Sequence, residues 1–135
     1  MISCIDTNII LDVASDDPQF ADTSEQLLIS ASDCGTLAIC EVVYAELVPQ
    51  FESKEQLDSL VDTLGVRLID GGVDVAYLAG QRWSAYRTAG GNRERLLPDF
   101  LIGAHALLRG ECLLTRDRGF YKSYFPELKL MGTPQ

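Results

Sequence analysis

Four acidic residues far apart in the chain, Asp6, Glu46, Asp99 and Asp117, are the side chains whose type and setting point to chemistry. Asp6 follows the apolar run 2–5, and Asp117 follows the run 111–114 after two residues. Glu46 lies on a helix-like stretch after a third such run, and Asp99 heads the nearly apolar segment 98–108. Singly, each has an ordinary explanation: Asp6 and Asp99 as helix caps, Glu46 as a solvated helix residue, Asp117 as a turn residue. Jointly they suggest more, because like charges drawn into one place raise each other's pKa unless a cation neutralises them. Oxygen ligands without histidine or cysteine suit Mg²⁺ or Mn²⁺, hard ions that keep several waters and bind substrate phosphates. Such an ion polarises a phosphodiester and activates water, so the chemistry implied is phosphodiester hydrolysis. Thr7, Asn8 and Thr115 stand beside these acids as short polar side chains able to orient carboxylates or metal-bound water. Asp12 and Glu41 read as surface residues.

Strands alternating with helices must position these groups. The apolar runs 2–5, 36–39, 66–69 and 111–114 read as buried strands and 128–131 as a last edge strand. Asp6-Thr7-Asn8 opens a first helix, and the capping-box spacing Asp22-Thr23-Ser24-Glu25 predicts a second that ends near Cys34-Gly35. In 41–48, Val42, Ala45 and Glu46 fall on one helical face, which puts Glu46 on a stripe shared with core residues. Ser53-Lys54-Glu55-Gln56 predicts a helix closed by Gly65. The segment 73–89 carries Ala76, Ala79, Trp83 and Tyr86 as an apolar stripe, and 120–124 reads as one helical turn. The glycine-rich, partly basic segment 90–95 is the candidate lid or substrate contact. This alternation predicts an α/β fold with a parallel sheet covered on both faces. If the first and fourth strands are neighbours where strand order reverses, Asp6 and Asp117 enter one cleft beyond the strand ends.

The 135 residues and 47% hydrophobic content fit one domain, residues 1–135, with a sizeable core. The longest apolar run, 100–108, is too short to span a membrane, and nothing resembling a signal peptide precedes Asp6, so a cytoplasmic location is expected. Cys4, Cys34, Cys40 and Cys112 form no C-x-x-C pair and read as free thiols, and His105, inside an apolar helix, reads as a packing residue. The net charge of −9 is unevenly spread: residues 1–66 hold Lys54 as their one base against thirteen acids, whereas 67–135 hold ten bases against seven acids. Arg82, Arg87, Arg93, Arg95, Arg109, Arg116, Arg118 and Lys122 make the second half the candidate polyanion face, with Arg93, Arg95, Arg116 and Arg118 nearest the acids.

Asp6-Thr7-Asn8, Ala45-Glu46-Leu47, the segment from Pro98-Asp99-Phe100 to Ala104-His105-Ala106, and Leu114-Thr115-Arg116-Asp117-Arg118-Gly119-Phe120-Tyr121 together resemble PIN-domain proteins, and most nearly VapC-type toxins. The resemblance runs from Ile5 to about Leu130. It implies a three-layer α/β/α fold with strand order 3-2-1-4-5 and a Mg²⁺- or Mn²⁺-dependent endoribonuclease, the toxin of a toxin-antitoxin pair. Asp6, Glu46, Asp99 and Asp117 match the family's acidic residues as metal ligands and catalytic groups. An RNA substrate, homodimerisation and inhibition by a VapB-like antitoxin are implied in the same way, and a groove around Ile9, Leu11, Val13 and Phe51 is the expected antitoxin seat. Cys40 departs from the pattern, standing where many relatives have Ser or Thr. Two other classes compete. A Mg²⁺-dependent phosphohydrolase using Asp6 as nucleophile would want a second acid where Asn8 stands. A PIN-fold binding module without catalysis would be expected to have lost one of the four acids.

Overall fold

The computed structural model describes residues 1–91 and 96–132. Five strands, β1 (Ile2–Ile5), β2 (Thr36–Ile39), β3 (Val66–Leu68), β4 (Cys112–Leu114) and β5 (Lys129–Met131), form one parallel sheet in the order β3-β2-β1-β4-β5. The inner strands are almost wholly buried, as a sheet covered on both faces requires. The central strand β1 pairs with β2 through Ile2–Thr36 and with β4 through Ser3–Cys112. The chain therefore builds outward from β1 to β3 on one side and returns to build β4 and β5 on the other. The order reverses between β1 and β4.

Among the described residues seven α-helices cover the sheet: α1 (Thr7–Ala14), α2 (Ala21–Cys34), α3 (Glu41–Leu47), α4 (Lys54–Leu64), α5 (Gly72–Thr88), α6 (Leu97–Arg109) and α7 (Arg118–Tyr124). Most lie within a residue or two of the positions that periodicity predicts, and the departures have physical causes. The capping-box spacing at Asp22 is not used, because Asp17 Oδ1 accepts the Gln19 and Phe20 N–H groups and lets α2 begin at Ala21. Ser53 does cap α4, accepting from Gln56 N at 3.1 Å, and Gly65 closes that helix in the left-handed conformation at φ 70°. On α3 the buried face is Val43 and Leu47, which leaves Ala45 and Glu46 exposed rather than on the core stripe. On α5 the buried residues are Val75, Ala79 and Tyr86, with Ala76 exposed and Trp83 half-buried under the Arg87 guanidinium.

The core beneath α6 is aromatic. Phe100 is fully buried and meets Tyr86, Phe120, Tyr124 and Phe125, its edge-on contact with Phe120 having ring centroids 5.1 Å apart. One turn on, Gly103 leaves room for the Phe125 ring: a Cβ there would sit 2.4 Å from it. His105 is buried, with Nε2 2.6 Å from the Ile69 carbonyl, and burial holds its pKa below the ordinary value. It packs α6 against the end of β3, as its apolar surroundings predict. All four cysteines are free, and Cys4, Cys40 and Cys112 are buried; burial pushes the Cys4 thiol up to about 12. No helix among the described residues is long and apolar enough to cross a membrane.

Candidate active site at the strand switch point

Asp6 is the first residue beyond β1, and its N–H donates to the Leu114 carbonyl at the end of β4 at 2.9 Å. The two strand ends on either side of the reversal are thus locked together at the position where the sequence expects a shared cleft. Asp6 caps α1, with Oδ1 accepting from Thr7 N at 2.8 Å. Oδ2 accepts from Thr115 Oγ1 at 2.7 Å and from Asn8 Nδ2 at 3.4 Å. Thr115 Oγ1 in turn accepts the Asp117 N–H at 2.9 Å, which folds the turn after β4 back over Asp6.

The remaining acids approach this carboxylate from three elements. Glu46, on the exposed face of α3, accepts from Thr7 Oγ1 at 2.7 Å, so Thr7 is bonded to Asp6 through its backbone and to Glu46 through its side chain. Asp99 stands in the first turn of α6, where its Oδ2 accepts the Leu96 N–H at 3.3 Å, a true capping contact. Asp117 precedes α7. Asp6 is 7% exposed, and its pKa is pushed up to about 6, chiefly by burial. Hydrogen bonds from Thr115 and Thr7 pull it down, and the negative charges of Asp99 and Asp117 push it further up. The three aspartates therefore share one electrostatic environment.

This donor set fits a hard divalent cation. Its groups are carboxylate oxygens carrying mutually unfavourable charge, and beside them lies Asn8 Oδ1, a buried acceptor with no hydrogen-bond partner. Among the described residues no three acidic, cysteine or histidine side chains are close enough to form a ready-made cage.

The basic candidates fare differently. Arg93 and Arg95 lie outside the described residues, as do Asn92 and Glu94 of the expected lid. Arg116 is only partly exposed. It forms a two-pronged ion pair with Asp12, Nε to Oδ2 at 2.8 Å and Nη2 to Oδ1 at 3.0 Å, while Arg118 Nη1 donates to the Gly132 carbonyl at 2.8 Å. Arg82 is bonded to Glu127 and the Tyr124 carbonyl, and Arg109 to Asp74 and the Gly71 carbonyl. Arg82, Arg109 and Arg116 are thus each paired with an acid of the chain, and Arg118 is held by a backbone carbonyl. Asp12, expected at the surface, is instead buried at 3% exposure. Its spacing three residues after buried Ile9 was the available signal. The expected antitoxin groove also changes. Ile9 is buried, whereas Val13 and Phe51 line separate grooves, one with Leu28, Ile29 and Leu64, the other with Tyr44, Val48 and Leu57.

The PIN domain family model matches residues 3–126 of the chain. The chain belongs to the PIN domain family. Its fold is similar to that of several solved VapBC assemblies. VapBC2 from Rickettsia felis bound to a promoter DNA fragment aligns with a TM-score of 0.75 at 26% identity, covering 98% of each chain. VapBC-1 from nontypeable Haemophilus influenzae aligns at 0.73 and 20% identity, and DNA-bound VapBC from Salmonella typhimurium at 0.72 and 18%, each again over 98% of both chains. No curated protein sequence matches at a significant level. The strand order 3-2-1-4-5 places Asp6 and Asp117 just beyond the C-terminal ends of the neighbouring strands β1 and β4.

Proposed function

We propose that this PIN-domain protein is a Mg²⁺- or Mn²⁺-dependent endoribonuclease, the toxin half of a VapBC-type pair held inactive by a VapB-like antitoxin. The observation that carries this reading is the state of Asp6, a carboxylate buried at the switch point and pushed up to about 6 by burial and by the charges of Asp99 and Asp117. Donors from Thr7, Thr115 and Asn8 offset part of the cost of that buried anion, and a bound cation would offset the rest. Asp6, Glu46, Asp99 and Asp117 would hold the ion, which when bound supplies charge to the phosphodiester and a water of lowered pKa. The chain's own contribution is orientation: Thr7 and Thr115 fix the Asp6 carboxylate, and Thr7 fixes Glu46. The likeness to VapBC assemblies supports an antitoxin partner.

Cleavage of a 5′-labelled structured RNA by the purified protein, with and without Mg²⁺, tests the reading. Cutting that requires Mg²⁺ or Mn²⁺ and stops in EDTA is expected. Cutting that survives EDTA, or RNA binding without any cutting, would replace it, the latter with a non-catalytic PIN binding module.

A further inference from the structure

The nuclease reading leaves one buried charged cluster unused. Asp12 on α1 accepts from Arg116 on both oxygens and from Ser24 Oγ of α2 at 2.6 Å. The Arg116 guanidinium lies over the Phe20 ring, 3.9 Å from its centroid, at the head of α2. Arg116 is 18% exposed and the Asp12 side chain 4%, so two charges have been taken almost wholly out of water at the meeting point of α1, α2 and the turn after β4. Burying a charge pair is seldom the cheapest way to fill a core, and a planar fork on a carboxylate fixes direction as well as distance. Arg116 is the residue between Thr115, which bonds Asp6, and Asp117, whose N–H bonds Thr115.

We propose that the Asp12–Arg116 pair is a positioning device that seats the 115–117 turn, and with it Asp117, against Asp6. Its seat is assembled from two helices that carry none of Glu46, Asp99 or Asp117, so the pair ties the site to the packing of α1 on α2. Arg116 acts through its neighbours and touches no substrate. The inference rests on the nuclease reading for its catalytic consequence only. A ligand displaced by about an ångström can cost on the order of a hundredfold in rate, so removing the pair should lower kcat at least tenfold and leave KM unchanged.

Two variants test it. Asp12→Leu combined with Arg116→Met replaces both charges by apolar groups, and Arg116→Lys keeps the charge while losing the fork. Each is measured for thermal unfolding, for kcat and KM on the labelled RNA with Mg²⁺, for Mn²⁺ affinity by calorimetry, and for hydrogen exchange of the 115–118 amides. The double variant is expected to melt near the wild type while its kcat falls at least tenfold, its Mn²⁺ affinity falls several-fold and its turn amides exchange faster with the strand amides unchanged. A folded double variant with wild-type kcat, Mn²⁺ affinity and turn exchange overturns the proposal. So does a raised KM at unchanged kcat in Arg116→Lys, which would make Arg116 a direct RNA contact. If the double variant fails to fold, the same readouts on Arg116→Lys decide. If the wild type cuts no RNA, the nuclease reading falls separately, and unchanged exchange and Mn²⁺ affinity in the variants still overturn the positioning role.

Discussion

Replacing Asp6 by asparagine should end cleavage while making the metal-free protein less sensitive to neutral pH. In the folded chain Asp6 titrates near 6 against an ordinary value of 3.8, so the folded state holds the proton more tightly than the unfolded one. An acid raised in this way favours the folded state at low pH, and that contribution is lost as pH rises from about 3.8 through about 6. At about 1.36 kcal/mol per pH unit the whole effect is about 3 kcal/mol, of which about 2 kcal/mol falls between pH 4.5 and 7.5. Asparagine has no charge to lose. Its Oδ1 can still accept from Thr7 N, and its amide N–H meets the Thr115 hydroxyl, which can accept, and the Asn8 side chain, whose Oδ1 lacks a partner. Urea unfolding of both proteins in EDTA at the two pH values reads the difference directly. The wild type should lose about 2 kcal/mol more than Asp6→Asn between them. Mg²⁺ at a hundred times its dissociation constant should return about 2.7 kcal/mol to the wild type at pH 7.5 and nothing comparable to the variant. Equal pH dependence in the two proteins, or a variant less stable than the wild type at pH 7.5, would refute the claim that Asp6 is a buried, unneutralised charge.

Asp99→Asn separates capping from catalysis, since the amide oxygen can keep the Leu96 N–H bond while the charge is gone. Thermal unfolding should shift by less than about 1 kcal/mol equivalent while RNA cleavage is abolished; loss of fold would mean that Asp99 serves only the helix. Gly103→Ala should destabilise by about 1–3 kcal/mol in urea, because its Cβ would stand 2.4 Å from the Phe125 ring in a packed aromatic core. A neutral result there would show that the ring can move aside.

Much of this chain was legible before any coordinates. Strand runs such as 2–5 and 36–39 and helix signals such as Ser53–Gln56 and Gly65 are local, set by side-chain periodicity and by backbone groups that must be capped within a few residues. Asp6 as a cap and Asp99 at a helix head are local for the same reason. The family resemblance is also readable along the chain, and the PIN domain match over residues 3–126 bears it out. What only the tertiary structure decided concerns partners far apart in sequence. Asp12 has the composition of a surface residue, and nothing within several residues of it shows that Arg116, 104 positions later, supplies its countercharge. Glu46 followed the wrong stripe because a seven-residue helix presents two overlapping apolar faces, and packing chose Val43 and Leu47. Gly103 makes space for Phe125, a ring from another element that meets it only in the folded core. The same limit applies at the site itself. Burial of Asp6 and the charges of Asp99 and Asp117 upon it are long-range effects, created only when β1 and β4 lie side by side. Residue types made a cluster of carboxylates conceivable; the reversal of strand order brought three of them within reach of one another's charge.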